Sequence, residues 1–202
     1  MNMKSLQWLS LAAVLAVLPV ESALAQQGAP PNYTSIVREG YKLGKADAEK
    51  LEASLVANPD DLEARTRLLG YYWRGARYET PETKIAARRR HILWLIEHHP
   101  GSKVAGLRQL TLDPAGHAIA DKDGYEQAAK LWMQQAQRHG SDAAVLGNAG
   151  DFFLLPGKVQ AEALYKRARQ AGPHDHDLAF VGVDTIEVLG SAMQGRPSGR
   201  GR

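Results

Sequence analysis

Four breaks in the chain set the frame for any fold this sequence can adopt. Pro59, Pro100, Gly140 and Pro173 each follow an amphipathic stretch and precede another, at intervals of 41, 40 and 33 residues. Proline has no amide hydrogen to give an α-helix and pushes the preceding residue out of the helical region, while glycine commonly ends one. Between the breaks, apolar residues recur at three- and four-residue spacing. No strand-like alternation is evident, so the spacing predicts an all-α protein. A hairpin of two helices cannot bury its apolar face alone, and a period of this length therefore predicts hairpins stacked on one another.

The helices can be placed one by one. A short one is expected over 33–43 with Ile36, Val37 and Tyr41 inward. The next runs from Lys45 towards Asn58-Pro59, with Ala48, Leu51, Leu55 and Val56 on its apolar face and Glu49, Lys50 and Glu52 facing away. Asp60 and Asp61 suit the positive start of the following helix, which Leu62, Ala64, Leu68, Leu69, Tyr72 and Trp73 carry to Gly75. Thr80-Pro81 reads as an N-cap with proline at the first helical position, opening a helix through Ile85, Ile92, Leu93, Leu95 and Ile96. Ser102 can cap a helix containing Val104, Leu107, Leu110 and Leu112, ending at Asp113-Pro114. A loop to Asp123-Gly124 leads into a helix with Tyr125, Ala128, Ala129, Trp132, Met133 and Ala136 inward. Then come an apolar helix, a Pro-Gly turn and an amphipathic helix over 143–173, followed by a last helix over 177–192.

The two ends differ in composition from the body. Lys4, the apolar run 6–20 and Ala23-Leu24-Ala25 match a secretory signal peptide, with cleavage expected after Ala25. The run is too short for a spanning helix and Pro19 interrupts it, which argues against a retained anchor. Residues 26–44 read as a flexible leader carrying the short helix, 45–192 as the helical domain and 193–202 as a disordered basic tail. Arg196, Arg200 and Arg202 in that tail account for the whole net charge of +3, so the body is near neutral and no nucleic-acid-binding face is expected. With no cysteine, an exported domain of this kind must rely on its apolar core.

Within 143–173 the pattern becomes specific. Gly150 lies three residues before Phe153, Ala161 and Tyr165 form an Ala-x3-aromatic element, Ala168 follows one turn on, and Pro173 closes the unit. This resembles a tetratricopeptide repeat. Leu69-Gly70-x-x-Trp73 gives a second, looser copy ending at Pro100, and 102–140 a third that is looser still. The resemblance covers about 45–192 and implies a short right-handed solenoid of antiparallel helical hairpins. It implies a scaffold that binds a protein or peptide, without cofactor or metal and without catalysis of its own.

Chemistry-bearing residues are few. Arg88, Arg89 and Arg90, with Arg74, Arg77 and Lys84 nearby, form the densest basic cluster in the body. Three consecutive arginines fan around a helix, so at least one must lie near a packed face, with its stem covering apolar surface. The resemblance gives the cluster a sharper role as a clamp for an acidic peptide. Tyr71, Tyr72, Trp73, Tyr78 and Trp94 read as packing rather than a ligand cage. The alternative is an enzyme or metal-binding protein using His117 or the pair His174/His176, and a third reading is a structural accessory of a cell-envelope assembly. No nucleophile, metalloprotease or phosphate-loop motif accompanies these histidines.

Overall fold

In a computed structural model of the chain, the described residues are 31–107, 109, 111–115 and 120–172. They form seven α-helices and a π-helical turn, and no strand is found among them. The helices are α1 (Tyr33–Gly40), α2 (Lys45–Ala57), α3 (Leu62–Gly70), α4 (Pro81–His98), α5 (Lys122–Arg138), α6 (Ala143–Phe153) and α7 (Lys158–Ala171), with the π turn at Tyr71–Gly75 between α3 and α4. The signal-like segment, the basic tail, Pro173, the helix expected over 177–192, and His117, His174 and His176 lie outside the described residues. None of the described helices is long and apolar enough to cross a membrane.

Most helices begin where a side chain can satisfy their free amides. Asn32, Asp61, Thr80, Asp121 and Asp142 cap α1, α3, α4, α5 and α6, each accepting from an amide two or three residues on. Pro81 takes the first position of α4 beside its Thr80 cap, as the sequence predicts. By contrast, α2 and α7 start at Gly44 and Gly157, which offer no side-chain cap.

Contacts run along the chain from α1 to α7. α1 lies directly on α3, because Gly40 and Gly70 face each other: a Cβ on Gly70 would collide with the Val37 carbonyl, and one on Gly40 with that of Arg67. α2 packs on α3, α4 follows through the π turn, and α5 then covers α4. α6 and α7 form the tightest pair, antiparallel, with Gly172 at the end of α7 returning to Ala143 at the start of α6. The main core gathers Leu69, Ile92, Leu95, Ile96, Trp132, Leu146, Phe152, Phe153 and Tyr165. A smaller cluster of Ala48, Leu55, Ala64, Leu68, Tyr71, Tyr72, Ala76 and Ala87 sits under α2.

Val56 and Met133, expected on apolar faces, are exposed, and three expectations about the elements themselves need correction. The helix expected from Ser102 through Leu112 does not form over 102–107; 100–106 is a run of turns. Val104 and Leu112 are nonetheless buried. The reason is tertiary: the Asn148 amide donates to the carbonyls of Pro100 (2.8 Å) and Ser102 (3.0 Å), which a continuing helix would have used itself. The helix expected to reach Gly75 is α-helical only to Gly70, and a bond from Ala76 N to Tyr71 O (2.7 Å) closes the wider turn after it. A Cβ on Gly75 would lie 2.9 Å from the Gly40 carbonyl oxygen, so the glycine lets the end of this turn pass close to α1. Finally, the loop after Asp113 ends earlier than expected, at the Asp121 cap, and Gly124 lies inside α5.

Candidate functional site

The densest polar arrangement lies where α2, the end of α3 and α4 meet. Glu52, predicted to face away from the core, instead turns into this junction and is half-buried. Position 52 borders the apolar stripe of Ala48, Leu51 and Leu55, so a small rotation of α2 is enough to bring it inward. Three donors converge on its Oε1: the Tyr72 hydroxyl at 2.9 Å, Arg90 Nη2 at 2.7 Å and His91 Nε2 at 3.0 Å.

His91 is buried, and its other ring nitrogen fixes its proton. Arg65 Nη1 lies 3.1 Å from His91 Nδ1. A guanidinium only donates, so Nδ1 must accept and the proton sits on Nε2, facing Glu52. Burial keeps this imidazole below its ordinary pKa despite the carboxylate beside it. Arg65 is held by the Pro59 carbonyl at 2.7 Å and lies over the Trp94 ring at 3.5 Å. Burial lowers its pKa to about 10, which leaves it charged at neutral pH. For Glu52, burial pushes upward, but the hydrogen bonds from His91 and Tyr72 and the charge of Arg90 outweigh it and hold the carboxyl at about 2.

The six basic residues singled out in the sequence do not converge. Arg88 is only 3% exposed. Its Nη2 donates to the carbonyls of Gln109 and Thr111, both at 3.1 Å, and its guanidinium lies over the Trp73 ring at 4.6 Å. It fastens the segment after the 100–106 turns to α4. Arg89 holds both oxygens of Asp121, with Nε to Oδ2 at 2.8 Å, so the cap of α5 is also an ion-pair partner of α4. A Cβ at 124 would collide first with the Asp121 carboxylate and then crowd Arg89 Nε at 2.9 Å, so a glycine suits the close approach of this ion pair. Arg90 belongs to the Glu52 cluster. Arg74 lies 5.7 Å over the Tyr41 ring and is exposed, as is Arg77, while Lys84 is partly covered. Of the aromatic set, Tyr71 and Tyr72 are buried, whereas Tyr78 is 90% exposed and contradicts the packing role expected for it.

The hairpin positions behave differently. Ala161, Ala168 and Tyr165 are fully buried, and Phe153 nearly so. A Cβ on Gly150 would lie 2.6 Å from the Tyr165 ring, so α6 and α7 touch through that ring face. The Tyr165 hydroxyl donates to Asp151 at 2.6 Å. Burial nevertheless raises Asp151 to about 6. Leu69 is buried too, while Trp73 sits in the π turn.

The C-terminal histidines of α4 serve local ends. His98 stacks on Trp94 with centroids 4.6 Å apart, and His99 Nε2 lies 3.1 Å from Asp60. Among the described residues no group of three or more His, Asp or Glu side chains is placed to hold a metal. Chemically, the Glu52 cluster presents hydrogen-bond donors to a carboxylate from a rigid support; it holds no Ser, Cys or Thr for nucleophilic attack. Comparison of the chain with family models, curated proteins and solved structures finds no match.

Proposed function

We propose that this chain is an exported helical-repeat scaffold of the tetratricopeptide type that binds a protein or peptide partner. The observation that carries the reading is the α6–α7 hairpin. Gly150 pressed on the Tyr165 ring, with Ala161 and Ala168 fully buried, is the close helix approach that the small and aromatic positions of such a repeat require. The leader over 1–25 supports export. The partner-facing surface is best sought where basic and aromatic groups remain outward, at Arg74, Arg77 and Tyr78 around the π turn, since Arg88 and Arg89 are engaged within the protein.

The test is capture from a cell-envelope extract on immobilised chain starting at Gln26, read by mass spectrometry. A reproducible partner whose recovery falls at least about tenfold with Arg74→Ala/Arg77→Ala/Tyr78→Ala supports the reading. No partner, together with stoichiometric metal by elemental analysis, would overturn it in favour of the histidine-based alternative.

A further inference from the structure

We propose that α2 occupies a helix-binding groove of its own chain, and that an amphipathic helix of a partner protein, carrying one carboxylate where α2 carries Glu52, can take its place. The inference rests on the scaffold reading only in taking the partner to be a protein. The groove is built without α2. Ala64, Leu68, Tyr72 and Ala87 supply its apolar floor from α3, the π turn and α4. His91 and Arg90 project from α4, and Arg65, itself stacked on Trp94, braces His91 from behind. These groups present three donors to one point, occupied now by Glu52 Oε1.

α2 itself has the features of an occupant rather than a pillar. It commits a narrow stripe, with Ala48 and Leu55 buried and Leu51 partly so. Its start at Gly44 carries no side-chain cap, and its outer surface is exposed throughout. The elements before and after it, α1 and α3, already touch through Gly40 and Gly70, so α2 is not needed to join them. Besides Glu52, Lys45 ties α2 to the body by pairing with Glu79 at 3.1 Å, and that lysine is half-exposed. A helix held by a narrow apolar stripe and one multiply bonded carboxylate defines its competitor: alanine and leucine at i, i+3 and i+7, and a glutamate beside them.

The experiment uses the full chain and a fluorescent peptide covering Lys45 to Asn58. Ala53 is exposed on α2, so Ala53→Pro breaks that helix while leaving the groove residues untouched. The Ala53→Pro chain should bind the peptide at least tenfold more tightly than wild type, and the Glu52→Gln peptide should bind at least tenfold more weakly. A folded Ala53→Pro chain that ignores the peptide, or binds both peptides alike, overturns the proposal while leaving the envelope capture result standing. Hydrogen exchange on wild type gives a second readout that needs no variant. Amides of α2 should exchange at least a hundredfold faster than those of α3 and α4, and equal protection would overturn the proposal. Wild-type dimers dissolved by the peptide would replace the partner protein with a second copy's α2, and so overturn the occupant named here.

Discussion

Glu52 and Asp151 are both carboxylates drawn into the body of the protein, yet one is held at about 2 and the other raised to about 6. Burial pushes each upward. At Glu52 an arginine, an imidazole N–H and a phenol meet the carboxylate and overcome that push. At Asp151 the Tyr165 hydroxyl that donates is neutral, and burial wins. The contrast follows the two regions around them. Under α2 the apolar cluster is small and a charged contact holds the helix down; around α6 and α7 the apolar core is large and tolerates a poorly compensated acid.

The sharpest break in that comparison is Tyr165→Ala, which empties a fully buried ring site and leaves Gly150 facing a cavity. A loss of about 4 kcal/mol is expected in urea denaturation followed by circular dichroism. Next is Gly70→Ala, whose methyl would press on backbone rather than on a movable side chain. It should cost about 3 kcal/mol and separate α1 from α3, whereas a loss below 1 kcal/mol would mean that α1 is not seated as described.

The carboxylates themselves give predictions of opposite sign in pH. Asp151 binds its proton more tightly folded than unfolded, so its contribution is complete below about pH 4 and is lost as pH rises through about 6. Asp151→Asn should flatten that slope and raise stability at pH 7 by roughly 2 kcal/mol. Glu52 behaves the other way: its contribution is present above its ordinary pKa of 4.5 and is lost as pH falls towards 2. Glu52→Ala, which leaves three donors without their acceptor, should cost about 1–2 kcal/mol at pH 7 and should remove that acid-side loss. If both variants shift the same limb of the pH profile, the contrast between the two sites fails. The smallest effect belongs to Arg77→Ala, an exposed change expected to stay within about 0.5 kcal/mol.

What could be read from the sequence was what the sequence decides locally. Thr80-Pro81 and Asp61 mark helix starts because the cap and the capped amide are three residues apart. The 143–171 pair was legible because its small and aromatic residues keep helical spacing. Where local signals misled, a distant side chain had intervened. Ser102 begins a plausible helix, but Asn148 takes the carbonyls it needs. Glu52 looks like a solvent-facing residue until Tyr72, Arg90 and His91, from 20 to 39 positions further on, are brought to it. Arg88, Arg89 and Arg90 form one run in sequence and three unrelated contacts in space. Their fates depend on where Gln109, Thr111, Asp121 and Glu52 come to lie against α4, and helical periodicity carries no information about that.

Arg88 has a consequence for how the chain can change over time. Its guanidinium holds residues 109 and 111 by their main-chain carbonyls, so the identity of those side chains does not enter the bond. The overlying strap is therefore free to drift in sequence at these two anchoring points while its path is kept. The residue beneath cannot drift with it. Lysine would lose the flat stacking on Trp73 and the fork that reaches two carbonyls from one nitrogen, so even that conservative replacement should free the strap. Variation in this region should thus be one-sided: permissive above, intolerant below.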